Sequence, residues 1–271
     1  GEMRSPTQYP LAKDVVRWQG EPVAVVVANK RAVAEDALEL VEIDYEDLDA
    51  QLDMETAMDK STKVIHDDLG NNLFWTRTVN QGDVIEAFKQ SHIVEEVTLD
   101  FARHTGVTLE TRAIVADWDS SEERMTIYHN GQAPHMMQSI IAKHLNISEG
   151  LVRIISCDVG GSFGIKVHVY PDEMVTVAVS KLLKRPVKFV ADRLESYSTD
   201  IHSRCHKISG KIGVDDKGKI LAFEIDDLSG IGPFSVYPRT SAIETNQVLN
   251  LSAASYVCLL YTSPSPRDSM T

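Results

Sequence analysis

A chain of 271 residues with 43% hydrophobic content is long enough to bury one or two cores of its own. Its net charge of −13 excludes the clustered Lys and Arg footprint of a nucleic-acid binder, and no run reaches the about 18 apolar residues of a membrane-spanning helix. No signal-peptide pattern opens it, and three scattered cysteines, Cys157, Cys205 and Cys258, fit neither a disulfide framework nor a Cys-x-x-Cys metal site, so a reducing cytoplasm is expected. Much of the acid sits early: residues 1–60 carry fourteen Asp and Glu against six Lys and Arg, a pattern that reads as a solvated face.

Glu21 to Ala28 is a short β-branched run that predicts one buried strand. Val33, Ala34, Ala37, Leu38 and Val41 then share one helical face, and Val41, Ile43 and Tyr45 alternate with acidic residues as a half-exposed strand would. This compact strand–helix–strand unit is expected to fill residues 1–59, followed by a linker over 60–82 marked by Gly70-Asn71-Asn72 and Asn80-Gln81-Gly82.

A second domain is expected over 83–251. Asp83 and Glu86 resemble a capping box opening a short helix with Val84, Ala87 and Phe88 inward. Strands are predicted through Val97, Leu99 and Phe101, from Val107 to Trp118, and from Met125 to His129. Pro134 suits the first turn of a helix over 132–145 that buries Met137, Ile140, Ile141 and Leu145. An apolar run from Val152 to Cys157 leads into a glycine-rich loop, after which Pro171 opens a helix with Met174, Val177, Ala178 and Leu182 on one side. Pro186 to Ala191 reads as a strand. Ile208 to Val214, Asp215-Asp216-Lys217-Gly218 and Ile220 to Ile225 make a hairpin. The last stretch, 252–271, is rich in Ser and Pro and predicts a disordered tail.

The chemistry concentrates in Val159-Gly160-Gly161-Ser162-Phe163-Gly164-Ile165-Lys166. Glycines after a strand let backbone N–H groups approach a ligand without steric interference, which points to a cofactor loop. Gly160-x-Ser162-x-Gly164 also fits the nucleophile elbow of a serine hydrolase, with Ser162 attacking and His202 or His206 as base. Against that, Lys166 to Tyr170 separates the loop from its helix. His202-x-x-Cys205-His206 carries metal-ligating types, but in a strand Cys205 points away from the two histidines. A non-catalytic interaction module is the third alternative.

Three stretches, Glu21 to Val27, Ala34-Glu35-Asp36-Ala37 and Val41 to Glu46, resemble the α/β hammerhead domain of the xanthine dehydrogenase, aldehyde oxidase and aerobic carbon monoxide dehydrogenase family. The later motifs follow in that family's order. They are Gly82-Asp83-Val84 with Ala87-Phe88, Leu109-Glu110-Thr111-Arg112, Gly131-Gln132-Ala133-Pro134-His135, Val159 to Lys166, Arg185-Pro186-Val187-Lys188, and Asp192-Arg193-Leu194-Glu195. The resemblance covers residues 8–250. It implies an α+β (mixed α/β) fold, with a partial hammerhead domain followed by the first part of a molybdopterin-binding domain, in a fragment of a family large subunit.

By the same resemblance the cofactor is a molybdenum ion carried by a pterin, with its cytosine dinucleotide form left open, and the metal's sulfur ligands come from the pterin. Gln132 matches the glutamine that hydrogen-bonds the metal's apical oxygen. Phe163 and Gly164 match the loop whose amides lie beside the metal, with Gly160 and Gly161 permitting the approach. Ser162 stands where glycine is commoner. Arg204 stands where the family often places an arginine near the substrate, and Val167 where purine-oxidising members carry a glutamate, which leans away from xanthine. The implied reaction is oxidative hydroxylation of a small molecule, an aldehyde, N-heterocycle or CO-like substrate, with water as the oxygen source. A glutamate base is expected downstream of residue 271, so the chain alone is expected to be inactive. An iron–sulfur small subunit and an FAD-binding medium subunit are the implied partners.

Overall fold

The computed structural model describes residues 3–252, together with the backbone of Tyr261–Ser263 and Arg267–Ser269. Its helices are α1 (Arg31–Leu38), α2 (Val84–Gln90), α3 (Pro134–Leu145), α4 (Pro171–Leu183), α5 (Arg193–Thr199) and α6 (Ala242–Leu251). The strands are β1 (Leu73–Thr76), β2 (Val79–Gln81), β3 (Ile93–Phe101), β4 (Ala113–Asp119), β5 (Arg124–His129), β6 (Val152–Ile155), β7 (Val187–Val190), β8 (His206–Val214), β9 (Ile220–Gly230), β10 (Tyr261–Ser263) and β11 (Arg267–Ser269). They form two compact units that interleave along the chain. One comprises 1–7, 49–104 and 202–271, and the other 8–48 and 105–201. Among the described residues no helix is long and apolar enough to cross a membrane.

In the first unit β3, β8 and β9 lie side by side and antiparallel. Its hairpin turns where the sequence predicts, with Asp215 Oδ1 accepting from the amides of Lys217 and Lys219 at 2.9 Å each and Gly218 at φ +81°. The expected helix at Asp83 forms as α2, and Asp83 Oδ1 caps it by accepting from the Glu86 amide at 3.0 Å. Val84 and Ala87 bury against Ala222 of β9. In the expected tail, β10 and β11 pair in parallel with the free side of β9, whose backbone groups would otherwise lack partners; the rest of that stretch, including Cys258, lies outside the described residues.

In the second unit β6, β5, β4 and β7 lie side by side, β5 and β6 parallel and the other neighbours antiparallel. β5, α3 and β6 are a βαβ crossover, which parallel neighbours require. Ile114, Ala116 and Trp118 of β4, Met125 and Ile127 of β5, and Val152 of β6 form one core with Met137 and Ile141 of α3 and Val177 of α4. Pro134 occupies the first turn of α3, whose N–H groups have no helical partner to lose.

Three expectations need correction. Residues 21–28 and 41–46 form no strands, and α1 buries none of its residues. A strand is defined by a ladder of paired backbone groups, and neither run forms one among the described residues; Val25, Val27, Ile43 and Tyr45 stand exposed. The run from Val107 becomes strand only at Ala113, because Val107 is left-handed at φ +41°, the Thr108 hydroxyl donates to the nearby Glu110 carbonyl, and the Arg112 side chain is drawn to the distant Asp172 and Asp200. On α4, Ala178 and Leu182 are exposed, while Glu173, Thr176 and Ser180 are buried. The helix turns toward polar partners: Ser180 Oγ donates to the Ala116 carbonyl at 3.0 Å.

Candidate functional site

The parallel arrangement of β5 and β6 decides where the candidate site lies. The segment after β5 holds Gly131 and Gln132, and the segment after β6 holds the glycine-rich loop, so both emerge at the carboxyl ends of adjacent parallel strands. That end of an open α/β sheet is the usual place for a ligand crevice. β4 runs antiparallel to β5, so the residues preceding it, Glu110 to Arg112, reach the same end.

The loop is bonded on both sides. Ser156 Oγ donates to the Gly131 carbonyl at 2.9 Å, and the Gln132 amide donates to the Lys166 carbonyl at 3.1 Å. The Glu110 amide donates to the Gly160 carbonyl at 3.1 Å, and Glu110 Oε2 accepts from the Gly160 amide at 2.8 Å. A side chain at Gly160 would lie 2.5 Å from Glu110 Cβ, so only glycine lets the two backbones approach this closely. Lys166 Nζ donates to the same Glu110 oxygen at 2.8 Å, and its side chain is 1% exposed. Burial works against the Glu110 charge, but the Lys166 and Gly160 bonds outweigh it and hold the carboxyl below its ordinary range.

Between these anchors the chain turns through left-handed backbone at Gly161 (φ +94°), Phe163 (φ +46°) and Gly164 (φ +87°). A left-handed phenylalanine is uncommon and marks a conformation imposed by its surroundings. The residue is 76% exposed, and the space where a Gly164 side chain would stand is open. Gln132 is likewise exposed. The loop therefore presents glycine backbone and an exposed phenylalanine on a segment bonded at Lys166 to the backbone of Gln132, an arrangement suited to a group that needs close backbone approach.

Behind the loop lies a buried ionic network which the sequence did not reveal. Arg112 pairs with Asp172 through Nη1 at 2.6 Å and Nη2 at 2.8 Å, and with Asp200 through Nε at 2.7 Å. Its guanidinium stacks 3.7 Å over the Tyr170 ring. Burial opposes its charge, and Asp172 and Glu173 overcome that and keep it firmly protonated. Glu173 also meets His129 Nε2 at 3.0 Å. Burial pushes the Tyr170 hydroxyl above its ordinary range, and that protonated hydroxyl donates to the Ile165 carbonyl at 2.9 Å. Nothing in the sequence pairs Arg112 with Asp172 and Asp200, which lie 60 and 88 positions away.

The remaining candidates separate as follows. Ser162 sits in a turn closed by the Ile165 amide on its carbonyl at 2.7 Å, and α4 does not start until Pro171, so no nucleophile elbow forms. Val167 is buried in a short 3₁₀ turn and offers no side-chain hydrogen bond. Arg204 belongs to the first unit, where it is left-handed at φ +68° and ion-paired to Glu244. His206 Nδ1 meets Asp227 Oδ1 at 2.8 Å, whereas Cys205 Sγ contacts Met54 Sδ at 4.0 Å, so the two side chains diverge. Among the described residues no three His, Cys, Asp or Glu side chains could hold a metal ion, and Cys157 and Cys205 are free thiols.

Two family models match the chain. Residues 65–261 match the molybdopterin cofactor-binding domain, and residues 1–49 match the a/b hammerhead domain of aldehyde oxidase and xanthine dehydrogenase. The nicotine 6-hydroxylase large subunit of Paenarthrobacter nicotinovorans is 34% identical over 91% of this chain and 31% of its own length. The carbon monoxide dehydrogenase large chain of Hydrogenophaga pseudoflava is 30% identical over 83% of this chain and 30% of its own. Among solved structures, quinoline 2-oxidoreductase from Pseudomonas putida 86 superposes on 100% of this chain and 35% of its own, with a TM-score of 0.94 and 27% identity. The chain thus spans about a third of the length of the curated relatives it matches. With the molybdopterin model covering most of the sequence and the glycine loop and Gln132 side by side, the chain belongs to the xanthine dehydrogenase, aldehyde oxidase and carbon monoxide dehydrogenase family of molybdopterin-binding large subunits.

Proposed function

We propose that this chain is the part of a molybdenum hydroxylase large subunit that supports one side of the cofactor, in an enzyme that oxidatively hydroxylates a small aldehyde, N-heterocycle or CO-like substrate. The observation that carries the reading is the loop itself. The backbone is left-handed at Gly161, Phe163 and Gly164, the position of a Gly164 side chain is open, and the exposed Gln132 is bonded through its amide to Lys166 at the end of the same loop.

When bound, the molybdenum–pterin group supplies two-electron redox chemistry, with water as the source of the oxygen. The chain's residues bind and orient. The Gln132 carboxamide can donate a hydrogen bond to an oxo ligand without adding charge, and the amides of Phe163 and Gly164 extend the same surface. The cytosine dinucleotide form of the pterin would find its phosphates served by loop amides and helix N-termini. Arg204 is the substrate-side candidate, and Val167 disfavours a substrate that needs a carboxylate partner at that position.

Relatives described as large chains and as a gamma subunit support an assembly with further subunits. We assign iron–sulfur and FAD-binding partners to it as electron acceptors, and assign the complex to the cytoplasm from the chain's few cysteines, of which Cys157 and Cys205 are free thiols.

The test is the molybdenum and pterin content of the protein purified from a host that makes the cofactor. Co-purification that falls in Gln132→Ala and Gly164→Val variants supports the reading, and a protein free of both groups overturns it. In the assembled enzyme, label from ¹⁸O-water must appear in the product.

A further inference from the structure

We infer that Glu110 and Lys166 form a clamp that sets the position of Gln132 relative to the glycine-rich loop, making both of them positioning residues for the candidate site. This rests on the molybdopterin reading for its purpose but not for its geometry.

A single carboxylate oxygen, Glu110 Oε2, receives two donors from opposite ends of the loop, the Gly160 amide at 2.8 Å and the Lys166 ammonium at 2.8 Å. The Glu110 amide adds a third tie, to the Gly160 carbonyl at 3.1 Å. Lys166 then carries the constraint onward. Its carbonyl accepts from the Gln132 amide at 3.1 Å, so one residue joins the carboxylate by its side chain and Gln132 by its backbone. Glu110 is therefore linked to both segments that emerge from β5 and β6, although it belongs to neither.

The burial of the pair is asymmetric. The Lys166 side chain is 1% exposed, and that of Glu110 is 40% exposed. Fold stability alone does not call for an ammonium at Lys166, since a methionine fills similar volume without desolvating a charge. An ammonium there has a directional partner, and the direction fixes where the backbone at 164–166 runs. Gly160, which leaves no room for a side chain against Glu110, makes the same contact close-fitting from the other side.

The test is hydrogen–deuterium exchange on the 271-residue chain, read at the Gly160 and Gln132 amides, beside molybdenum content. In Glu110→Gln, exchange at both amides is expected to rise about tenfold while the amides of α3 and β5 keep their protection. Lys166→Met, which leaves Glu110 in place, is expected to raise exchange at Gln132 and to spare Gly160. The Glu110→Gln/Lys166→Met double variant separates positioning from charge balance, and it covers the case in which the first variant fails to fold. With no buried charge left unpaired it regains the melting temperature, yet exchange at Gln132 stays high. Recovery of protection at Gln132 in the double variant, or exchange that rises evenly across the whole unit, overturns the clamp. If the unaltered chain shows the expected pattern but carries no molybdenum, the clamp stands and the proposed function falls. If it carries molybdenum and Glu110→Gln changes neither exchange nor metal content, the reverse holds.

Discussion

Arg112 lies 3.7 Å above the ring of Tyr170, and the hydroxyl of that same tyrosine donates to the carbonyl of Ile165 at 2.9 Å. The first contact belongs to the core of the unit and the second to the end of the glycine-rich loop. The buried ionic network and the exposed candidate site are thereby joined through one aromatic side chain, which also carries α4 on its C-terminal side.

Replacing Arg112 with Met is expected to destabilise the protein by about 3–5 kcal/mol, the cost of leaving one side of a buried ion pair uncompensated. Asp172 and Asp200 both lose their guanidinium, and both are largely or wholly buried. Arg112→Lys is expected to recover only part of this loss, because an ammonium cannot reproduce the two-pronged contact with Asp172. Urea unfolding of the three proteins measures the difference. A Met variant as stable as the parent would show that the network is not a source of stability.

Gly160 and Gly164 are expected to fail in different ways. Alanine at Gly160 meets Glu110 Cβ at 2.5 Å, so the loop itself must move, and molybdenum content should fall sharply. Alanine at Gly164 meets nothing within 4 Å and is opposed only by φ +87°, a strain of about 1–2 kcal/mol. A Gly164→Ala protein is expected to keep most of its metal with a slightly lower melting temperature. Metal analysis and thermal unfolding, run together, tell the two apart.

The contrast between loop and network explains what the sequence could yield. The glycine-rich loop, Gln132 and the order of the elements around them were legible, because glycine after an apolar run and proline at a helix start act locally. The contacts that hold the loop were not. Glu110 meets Lys166 across 56 residues and Arg112 meets Asp172 across 60, and no periodicity pairs charges at such distances. The same physics hid the inner face of α4, where Glu173 and Ser180 are buried against His129 and Ala116 of other elements while Leu182 is left outside. At the N-terminal end the failure runs the other way. The run from Pro22 to Ala28 has the composition of a strand, but pairing needs a neighbour that local composition does not specify.

His206 gives the first unit a pH-dependent term. Burial pushes its imidazole down, but hydrogen bonding to Asp227 and Glu244 outweighs this and raises the group to about 9. A histidine that binds its proton more tightly when folded stabilises the protein fully below its ordinary value of about 6.5, and that contribution is lost as pH rises through about 9. Stability is therefore expected to decline between about pH 6.5 and 9 by an amount absent from a His206→Gln protein. Denaturant titrations across that range decide it. Matching slopes in the two proteins would show that Asp227 and Glu244 do not hold the proton.

Gln132 separates the chemical role of the site from its architecture. The residue is exposed and its backbone amide makes the bond to the loop, so Gln132→Ala is expected to shift stability by no more than about 0.5 kcal/mol. If the carboxamide orients an oxo ligand in the assembled enzyme, the same variant should lose turnover by about a hundredfold to a thousandfold, the range for removing one hydrogen bond to a developing charge. Gln132→Glu should lose at least as much, since a carboxylate can only accept where a donor is needed and brings a repelling charge. Melting temperature, molybdenum content and turnover measured on one preparation read the three effects separately. Unchanged turnover in a fully loaded Gln132→Ala enzyme would remove this residue from the mechanism while leaving the loop and its clamp intact.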